Sequence, residues 1–226
     1  MKTSLLTLAL LSNAAAAVQA QSAISAGTIA VGGNIGYSSS TLKEEFKTSS
    51  GSIISTENTL NQFLVSPSAG YFFADNLALG LSVGYTASSF KSSVTGPGTT
   101  SPNALDARTT FNVGPYVQYY KLLSEQFGLV GTLGAGYQSS FTPFTIGPST
   151  VGDTKGSGFY AGLTPGVIFF PIPKFGISAS VGGLGYDRMS FKDSNDKDGD
   201  AKSQSSFGLN FGISQLLFGG TLFLGR

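Results

Sequence analysis

The feature that most constrains this chain is a repeat of roughly fifty residues, because a fixed period of this length indicates a repeated structural unit. Pro67, Pro115 and Pro165 each precede an aromatic pair by four residues and lie 48 and 50 residues apart. Gly-Tyr pairs close four apolar runs, with tyrosines at Tyr37, Tyr85, Tyr137 and Tyr186, which are 48, 52 and 49 residues apart. Each unit then contains one run ending in Gly-Tyr and one ending in aromatics, so four units predict eight strands.

Within each run the apolar residues alternate with small or polar ones. From Leu77 to Tyr85, the odd positions are Leu, Leu, Leu, Val and Tyr, and the even positions are Ala, Gly, Ser and Gly. Residues Phe111 to Tyr119 and Phe159 to Phe169 alternate in the same way. A period of two is the signature of a β-strand, whose side chains point to opposite faces in turn. The sequence therefore predicts an all-β chain, an antiparallel up-and-down barrel of eight strands.

Two kinds of barrel fit this alternation. A soluble barrel turns its apolar face inward, whereas a membrane barrel turns that face to lipid. Charged residues make up 11% of the chain, against about 25% in a typical soluble domain. We predict that every charge after the first 20 residues lies in a loop, a turn or a chain end. Because a charge at the bilayer midplane costs about 2–4 kcal/mol in a barrel, this distribution favours the transmembrane barrel.

The first 20 residues have the composition of an export signal. Lys2 precedes the apolar run Leu5 to Leu11, and Val18 and Ala20 fit the small-residue positions before a cleavage site. This pattern predicts a cleaved signal peptide at residues 1–20 and a barrel domain at residues 21–226. The alternative is a buried N-terminal helix. No apolar run long enough for a transmembrane helix follows.

Aromatic residues on the predicted lipid face mark two boundaries, since aromatic girdles form at both membrane interfaces. The predicted interface aromatics are Tyr37, Tyr71, Tyr85, Tyr119, Tyr137 and Phe169. Tyr186 falls on the inner face by strict alternation, which predicts a bulge near Gly182 and Gly183. The three repeated prolines fall on the lipid face. They indicate either local bulges or strands that tolerate the loss of one backbone N–H donor.

The connections are asymmetric in length. Four long stretches rich in Ser, Thr, Gly and charge alternate with short connections such as Ala-Asp-Asn at residues 74–76. Long external loops and short periplasmic turns are typical of outer-membrane barrels. The sequence thus predicts four long external loops and two periplasmic termini.

The stretch SPSAGYFFADNLALGLSVGY, residues 66–85, resembles the outer-membrane protein β-barrel domain family, the small eight-stranded barrels of Gram-negative bacteria. The aromatic pair, the Ala-Asp-Asn turn and the alternating Leu-Ala-Leu-Gly-Leu carry the resemblance. It implies residence in the outer membrane, contact with its lipid, and insertion by the outer-membrane assembly machinery. Phe218 or Phe223 then serves as the terminal aromatic that this machinery recognises.

The residue types argue against an enzyme or a metal-binding protein. The chain contains no His and no Cys, so His-based activation of a nucleophile and disulfides are both excluded. Asp196, Asp198 and Gly199 match part of a calcium loop, but the closing Glu is replaced by Ser205, and a solvated loop is the favoured interpretation. We predict no enzyme activity, no cofactor and no metal. The net charge of +1 gives no reason to expect a nucleic-acid partner.

The barrel interior is the remaining candidate site. The predicted lumen-lining residues are Asn34, Ser82, Asn112, Tyr116, Gln118, Tyr160 and Asn210, all neutral. Eight strands leave a lumen just wide enough for side chains. Tyr116, Tyr120 and Tyr160 are predicted to fill its middle, which favours a structural or surface-interaction role. The alternatives are a narrow porin-like channel and an adhesin whose loops bind an unknown external ligand.

Overall fold

The computed structural model describes residues 23–48, 51–96, 99–146, 149–193 and 202–226. The predicted signal peptide and the acidic stretch 194–201 lie outside these ranges. Within the described residues the chain forms eight antiparallel strands, which confirms the all-β prediction. The strands are β1 (Ile29–Lys47), β2 (Ile53–Ala74), β3 (Leu77–Gly96), β4 (Thr99–Leu122), β5 (Phe127–Ile146), β6 (Ser149–Ile172), β7 (Phe175–Asp193) and β8 (Lys202–Leu224).

Each strand pairs with its sequence neighbours, and β8 returns to β1, so the sheet closes into a barrel. β1 and β8 pair from Ile29 opposite Leu224 to Ile35 opposite Phe218. The turns that join β2 to β3, β4 to β5 and β6 to β7 are short and lie at the same end as residues 23–28 and Arg226. We call this the short-turn end. The described part of the chain contains no helix long and apolar enough to cross a membrane.

The outer surface carries two bands of aromatic residues. At the far rim, each Gly-Tyr tyrosine pairs across to a phenylalanine of the next strand. These pairs are Tyr37–Phe63, Tyr85–Phe111, Tyr137–Phe159 and Tyr186–Phe207. At the near rim, beside the short turns, Tyr71, Tyr119 and Phe169 are 53%, 55% and 46% exposed. All of the predicted interface aromatics therefore lie on the outside of the barrel, with side chains exposed.

The belt between the two rims has the height of an apolar membrane band. Phe63 and Tyr71 are eight residues apart on β2, or about 26 Å along a strand that rises about 3.3 Å per residue. A strand tilt of about 40° reduces this to about 20 Å, near the roughly 25 Å apolar band of outer-membrane barrels. No Asp, Glu, Lys or Arg occurs in the belt segment of any strand.

The strands continue well past the far rim, which corrects two predictions. The stretches predicted as four long external loops are β-strand over most of their length; β1 runs to Lys47, and β2 begins again at Ile53. The strands consequently carry charged residues, including Lys43, Glu57 and Arg108. Polar composition is typical of loops, but here hydrogen-bonded pairing such as Lys43 opposite Glu57 continues beyond the belt. We call this part of the barrel the extension.

The outer face of the sheet changes from apolar to polar at the far rim. Below Tyr37 the odd residues of β1 face outward and are apolar, as in Val31 and Ile35. In the extension the outward positions of β1 include Thr41, Lys43 and Glu45, and the alternate positions carry Leu42, Glu44 and Phe46. A surface that leaves lipid and enters water would change in this way, so the change marks a boundary between two environments.

The repeated prolines do not share one structural role. Pro67, Pro115 and Pro165 all have exposed side chains on the outer face. The β2–β3 pairing and the β4–β5 pairing keep one register past Pro67 and Pro115, so these two prolines are tolerated without a bulge. Only Pro165 faces a register shift, which lies between Leu163 and Gly166.

The predicted bulge in β7 is present opposite Pro165. Leu163 pairs with Leu184 and Gly166 with Ser180, so β7 holds one more residue than β6 in this interval. Gly182 has a φ of 97°, a conformation that side-chain-bearing residues rarely adopt. The bulge turns Tyr186 outward, where it is 44% exposed.

Candidate functional site: the lumen and its aromatic floor

The core of the protein lies inside the barrel at the short-turn end. It is built on Phe72, Tyr120, Phe170 and Phe223, one from each even-numbered strand, and all are at most 2% exposed. In four ring pairs the centroids are 5.3–6.1 Å apart, from Phe170–Phe223 at 5.3 Å to Phe72–Phe223 at 6.1 Å. These separations suit aromatic packing. We call these four residues the aromatic plug.

The alternation explains why each plug residue follows an outward aromatic or leucine. Tyr71, Tyr119, Phe169 and Leu222 point outward, so the next residue on each strand must point into the lumen. An aromatic pair therefore supplies one residue to the near rim and one to the plug. The sequence interpretation identified the outward members and missed Phe72, Phe170 and Phe223 as inward ones. It placed Tyr120 in the middle of the lumen, whereas the structure places it in the plug.

The N-terminal segment covers the plug from below. Ile24 is fully buried against it. Its backbone N–H donates to Asn76 Oδ1 at 2.9 Å, and the Asn76 N–H donates to the Ile24 carbonyl at 2.8 Å. Asn76, in the Ala-Asp-Asn turn, has a φ of 62°, which Asn tolerates better than most residues. The segment is thus fixed across the β2–β3 turn.

Arg226 packs on the plug from the same side. Its guanidinium carbon lies 3.9 Å from the centroid of the Phe170 ring, a cation–π geometry. Burial lowers the pKa of this guanidinium from its usual value. Its charge remains at neutral pH because arginine is not deprotonated in proteins.

A cavity of about 350 Å³ lies in the lumen above the plug. Ala30, Tyr120 and Ile168 line the cavity and also belong to the buried core cluster. The plug is therefore the floor of the cavity. Its walls carry hydroxyl and amide groups, including those of Asn34, Ser82, Gln118 and Thr132, beside apolar side chains, so the cavity offers neutral hydrogen-bonding groups.

Glycines make room for the large residues of the wall. A Cβ on Gly80 would meet Cζ of Tyr116 at 2.5 Å, and one on Gly70 would meet the Tyr116 hydroxyl at 2.7 Å. The Tyr116 ring therefore lies directly against the backbones of β2 and β3. A Cβ on Gly136 would likewise meet the Tyr160 ring at 2.9 Å. The many glycines of the inner face set the space left in the lumen.

A hydrogen-bonded chain links the floor to the wall. The Tyr120 hydroxyl donates to Gln118 Oε1 at 3.0 Å, and Gln118 Nε2 donates to Thr132 Oγ1 at 3.0 Å. These bonds hold the polar groups in one arrangement, because unpaired polar groups in a lumen are costly.

Comparison with known proteins identifies the family. A sequence model described as the outer membrane protein beta-barrel domain matches residues 6–211. This chain belongs to that family. It is also similar in structure to the outer membrane protease OmpT from Escherichia coli, at 12% identity and a TM-score of 0.33, over 91% of this chain and 96% of that one. No curated protein sequence matches the chain.

Membership of the outer membrane protein β-barrel family places the chain in the bacterial outer membrane. The apolar belt between the aromatic rims is then its lipid-facing surface.

Six of the seven predicted lumen residues line the cavity above the plug: Asn34, Ser82, Asn112, Tyr116, Gln118 and Tyr160.

The seventh predicted lumen residue lies elsewhere. Asn210 is exposed and is not among the cavity walls. It alternates with the outward Leu209 and Phe211 on β8, and the register of β8 against β7 changes just beyond it. Strict alternation placed Asn210 on the inner face but carried no information about this change of register.

A second inward cluster in the extension was not predicted. Arg108 of β4 donates from Nη2 to the Met189 sulfur at 3.8 Å and lies 5.7 Å from the Phe191 ring centroid. Met189 and Ser140 are 6% and 4% exposed. The extension therefore has a packed interior on the side of β4 to β7. The signal available in the sequence was the continued alternation of Met189 and Phe191 within a stretch that was interpreted as loop.

Proposed function

We propose that this protein is a non-conducting barrel that anchors the extension at the bacterial surface as a structural or interaction element. The observation that carries the proposal is the aromatic plug, whose four rings are at most 2% exposed and close the short-turn end. In this proposal residues 1–20 are removed as a signal peptide, and the assembly machinery inserts the barrel. The short turns and both termini face the periplasm, and the extension faces outward.

The plug opposes axial flow because the Phe223 ring packs against each of the other three plug rings. Phe223 lies within 6.1 Å of Phe72, Tyr120 and Phe170, measured between ring centroids. Ile24 fills the space below, and two hydrogen bonds with Asn76 fix it, one to the Asn76 side-chain Oδ1 and one from the Asn76 backbone N–H. A solute crossing along the axis must displace both layers.

The absence of His throughout the sequence supports a role without catalysis. The small outer-membrane barrels that act as enzymes typically use a catalytic His, as the family resemblance implies. The proposal accordingly gives this chain no reaction and no cofactor, and it leaves the partner of the extension to be identified by binding.

The second candidate is a narrow channel, which the cavity of about 350 Å³ and its hydroxyl-rich wall favour. Small solutes would find hydrogen-bonding groups such as Ser82 and Gln118 along the way. In this case the plug would have to move in the open state.

Single-channel conductance of the refolded protein in a planar bilayer tests the proposal. Wild type should be silent, whereas Phe72→Ala/Tyr120→Ala/Phe223→Ala should conduct, because it removes three of the four plug rings. The matched control, Tyr71→Ala/Tyr119→Ala/Leu222→Ala, alters the preceding outward residues on the same strands and should stay silent. Heat-modifiable gel migration first establishes that each barrel is folded.

The outcomes separate the two candidates. Reproducible openings of folded wild type would favour the channel and overturn the proposal. Silence of both wild type and a folded plug variant would show that the barrier lies elsewhere, so the plug would no longer support the scaffold interpretation.

A further inference from the structure

The barrel has an incomplete seam between its first and last strands. Among the described residues, β1 pairs with β8 only over Ile29–Ile35, although it pairs with β2 as far as Lys47. On β8 this pairing begins at Phe218, although the strand extends back past Phe207 at the far rim. In the upper part of the belt, these two strands are therefore not paired by backbone hydrogen bonds.

β8 also changes register at the level where the seam ends. Val181 of β7 pairs with Leu216, but the next residue, Gly182, pairs with Phe211, a shift of four residues along β8. Such an irregularity bends a strand away from its neighbour's path. Irregular backbone at membrane depth is tolerated where it lines a cavity or is covered. The seam therefore requires either a cavity behind it or a molecule in front of it.

The structure has a cavity behind the seam and a groove in front of it that could hold a molecule. On the outer face, a groove of about 490 Å³ runs across β2, β1 and β8 and ends at Ile35 and Phe218, where the pairing stops. Apolar and glycine residues line it, among them Gly33, Val65, Pro67, Phe218, Gly219 and Gly220. On the inner face, the lumen cavity shares Gly32, Gly33 and Asn34 with this groove, so a single strand separates the two.

We propose that an acyl chain of an outer-membrane lipid lies in this groove and enters the lumen through the seam between β1 and β8. The groove is continuous with the lipid-facing belt, so lipid tails are the molecules that reach it. Leu64 and Leu217 line the lumen cavity beside the seam, and the Leu217 side chain lies against Gly36. The tail would enter past the apolar Leu217 side chain, which covers Gly36 at the first unpaired position, while the aromatic plug stops any further passage along the axis.

This inference rests on the proposed membrane insertion, and the test separates the two. The chain contains no Trp and no Cys, so single probes can be added without background. Leu64→Trp places a fluorophore in the lumen wall next to the seam, Phe218→Trp places one on the lipid face, and Tyr160→Trp places one in the lumen away from the seam. Each is refolded into vesicles of phosphatidylcholine brominated on its acyl chains, which quench Trp on contact.

A reversible disulfide, called the lock, closes the seam in the same sample. Gly36→Cys/Leu217→Cys, added to Leu64→Trp, joins β1 to β8 one position beyond the last observed pair when oxidised. Gly84→Cys/Asn112→Cys joins β3 to β4, which are already paired at that position, and serves as the matched control. Gel migration of the folded form checks each variant.

Quenching of Leu64→Trp should approach that of Phe218→Trp when the lock is reduced and fall to that of Tyr160→Trp when it is oxidised. The control disulfide should leave quenching unchanged. If Phe218→Trp is quenched but Leu64→Trp is no more quenched than Tyr160→Trp in either state, the seam does not admit lipid and the inference is overturned. If Phe218→Trp itself is not quenched, the membrane insertion of the proposed function fails instead.

Discussion

Gly80 shows how single residues set the dimensions of the lumen. A Cβ at this position would meet the Ala69 carbonyl oxygen and, at 2.5 Å, Cζ of Tyr116. Because backbone cannot give way cheaply, Gly80→Ala should lower the free energy of unfolding by about 1–3 kcal/mol, as overpacking does. Urea denaturation of the barrel in lipid vesicles, followed by far-ultraviolet circular dichroism, measures the change.

Gly131→Ala is the matched control for this substitution. Gly131 also lies within a strand, but a Cβ there meets nothing within 4 Å, so its unfolding midpoint should stay close to wild type. Equal effects of the two substitutions would mean that strand propensity, and not the fit of Tyr116, determines the loss.

The inward or outward direction of single side chains was predictable, but their assembly was not. Alternation alone directed Tyr116, Gln118 and Asn112 inward, and the structure places them on the cavity wall. The plug needed more than alternation, since Phe72 and Phe223 lie on strands far apart in sequence and meet only when the ring closes. A local pattern gives the face of a residue without giving its height relative to residues on other strands.

At the scale of elements, strand existence was predictable and strand length was not. The belt segments follow from the spacing of the Gly-Tyr and proline repeats. The extension was mistaken for loops because its Ser, Thr and charged residues have the composition of loops, and because its outward face is no longer apolar beyond the far rim. Leu42 and Phe46 lie on one face of β1, but Glu44 lies between them on that face, so the period of two that marks the belt does not continue into this segment.

The extension hairpin of β1 and β2 should be dispensable for folding. Replacing residues 41–59 by Asn-Gly joins Ser40 to Leu60, which already face each other, through a favoured two-residue turn. The exposed Lys43–Glu57 ion pair that is lost contributes about 0–1 kcal/mol, and Leu42 and Phe46 are each 57% exposed. Heat-modifiable gel migration should therefore remain.

The control shortens the same hairpin further. Joining Asn34 to Ser66, which also face each other, removes the rim pair Tyr37–Phe63 and part of the belt, and should prevent insertion. Loss of folding in the milder variant would show that the extension stabilises the barrel and is more than a displayed surface.

At the scale of the whole molecule, the change of the outer face from apolar to polar at the far rim sets the position of the membrane. Leu81, midway along the β3 belt and 62% exposed, should face lipid, so Leu81→Arg should cost about 2–4 kcal/mol of unfolding free energy in phospholipid vesicles. Thr41→Arg, outward on the extension, should change it by less than about 0.5 kcal/mol because it remains in water. Urea titration of both variants measures the difference. The opposite ranking would place the apolar face away from lipid and return the soluble barrel to consideration.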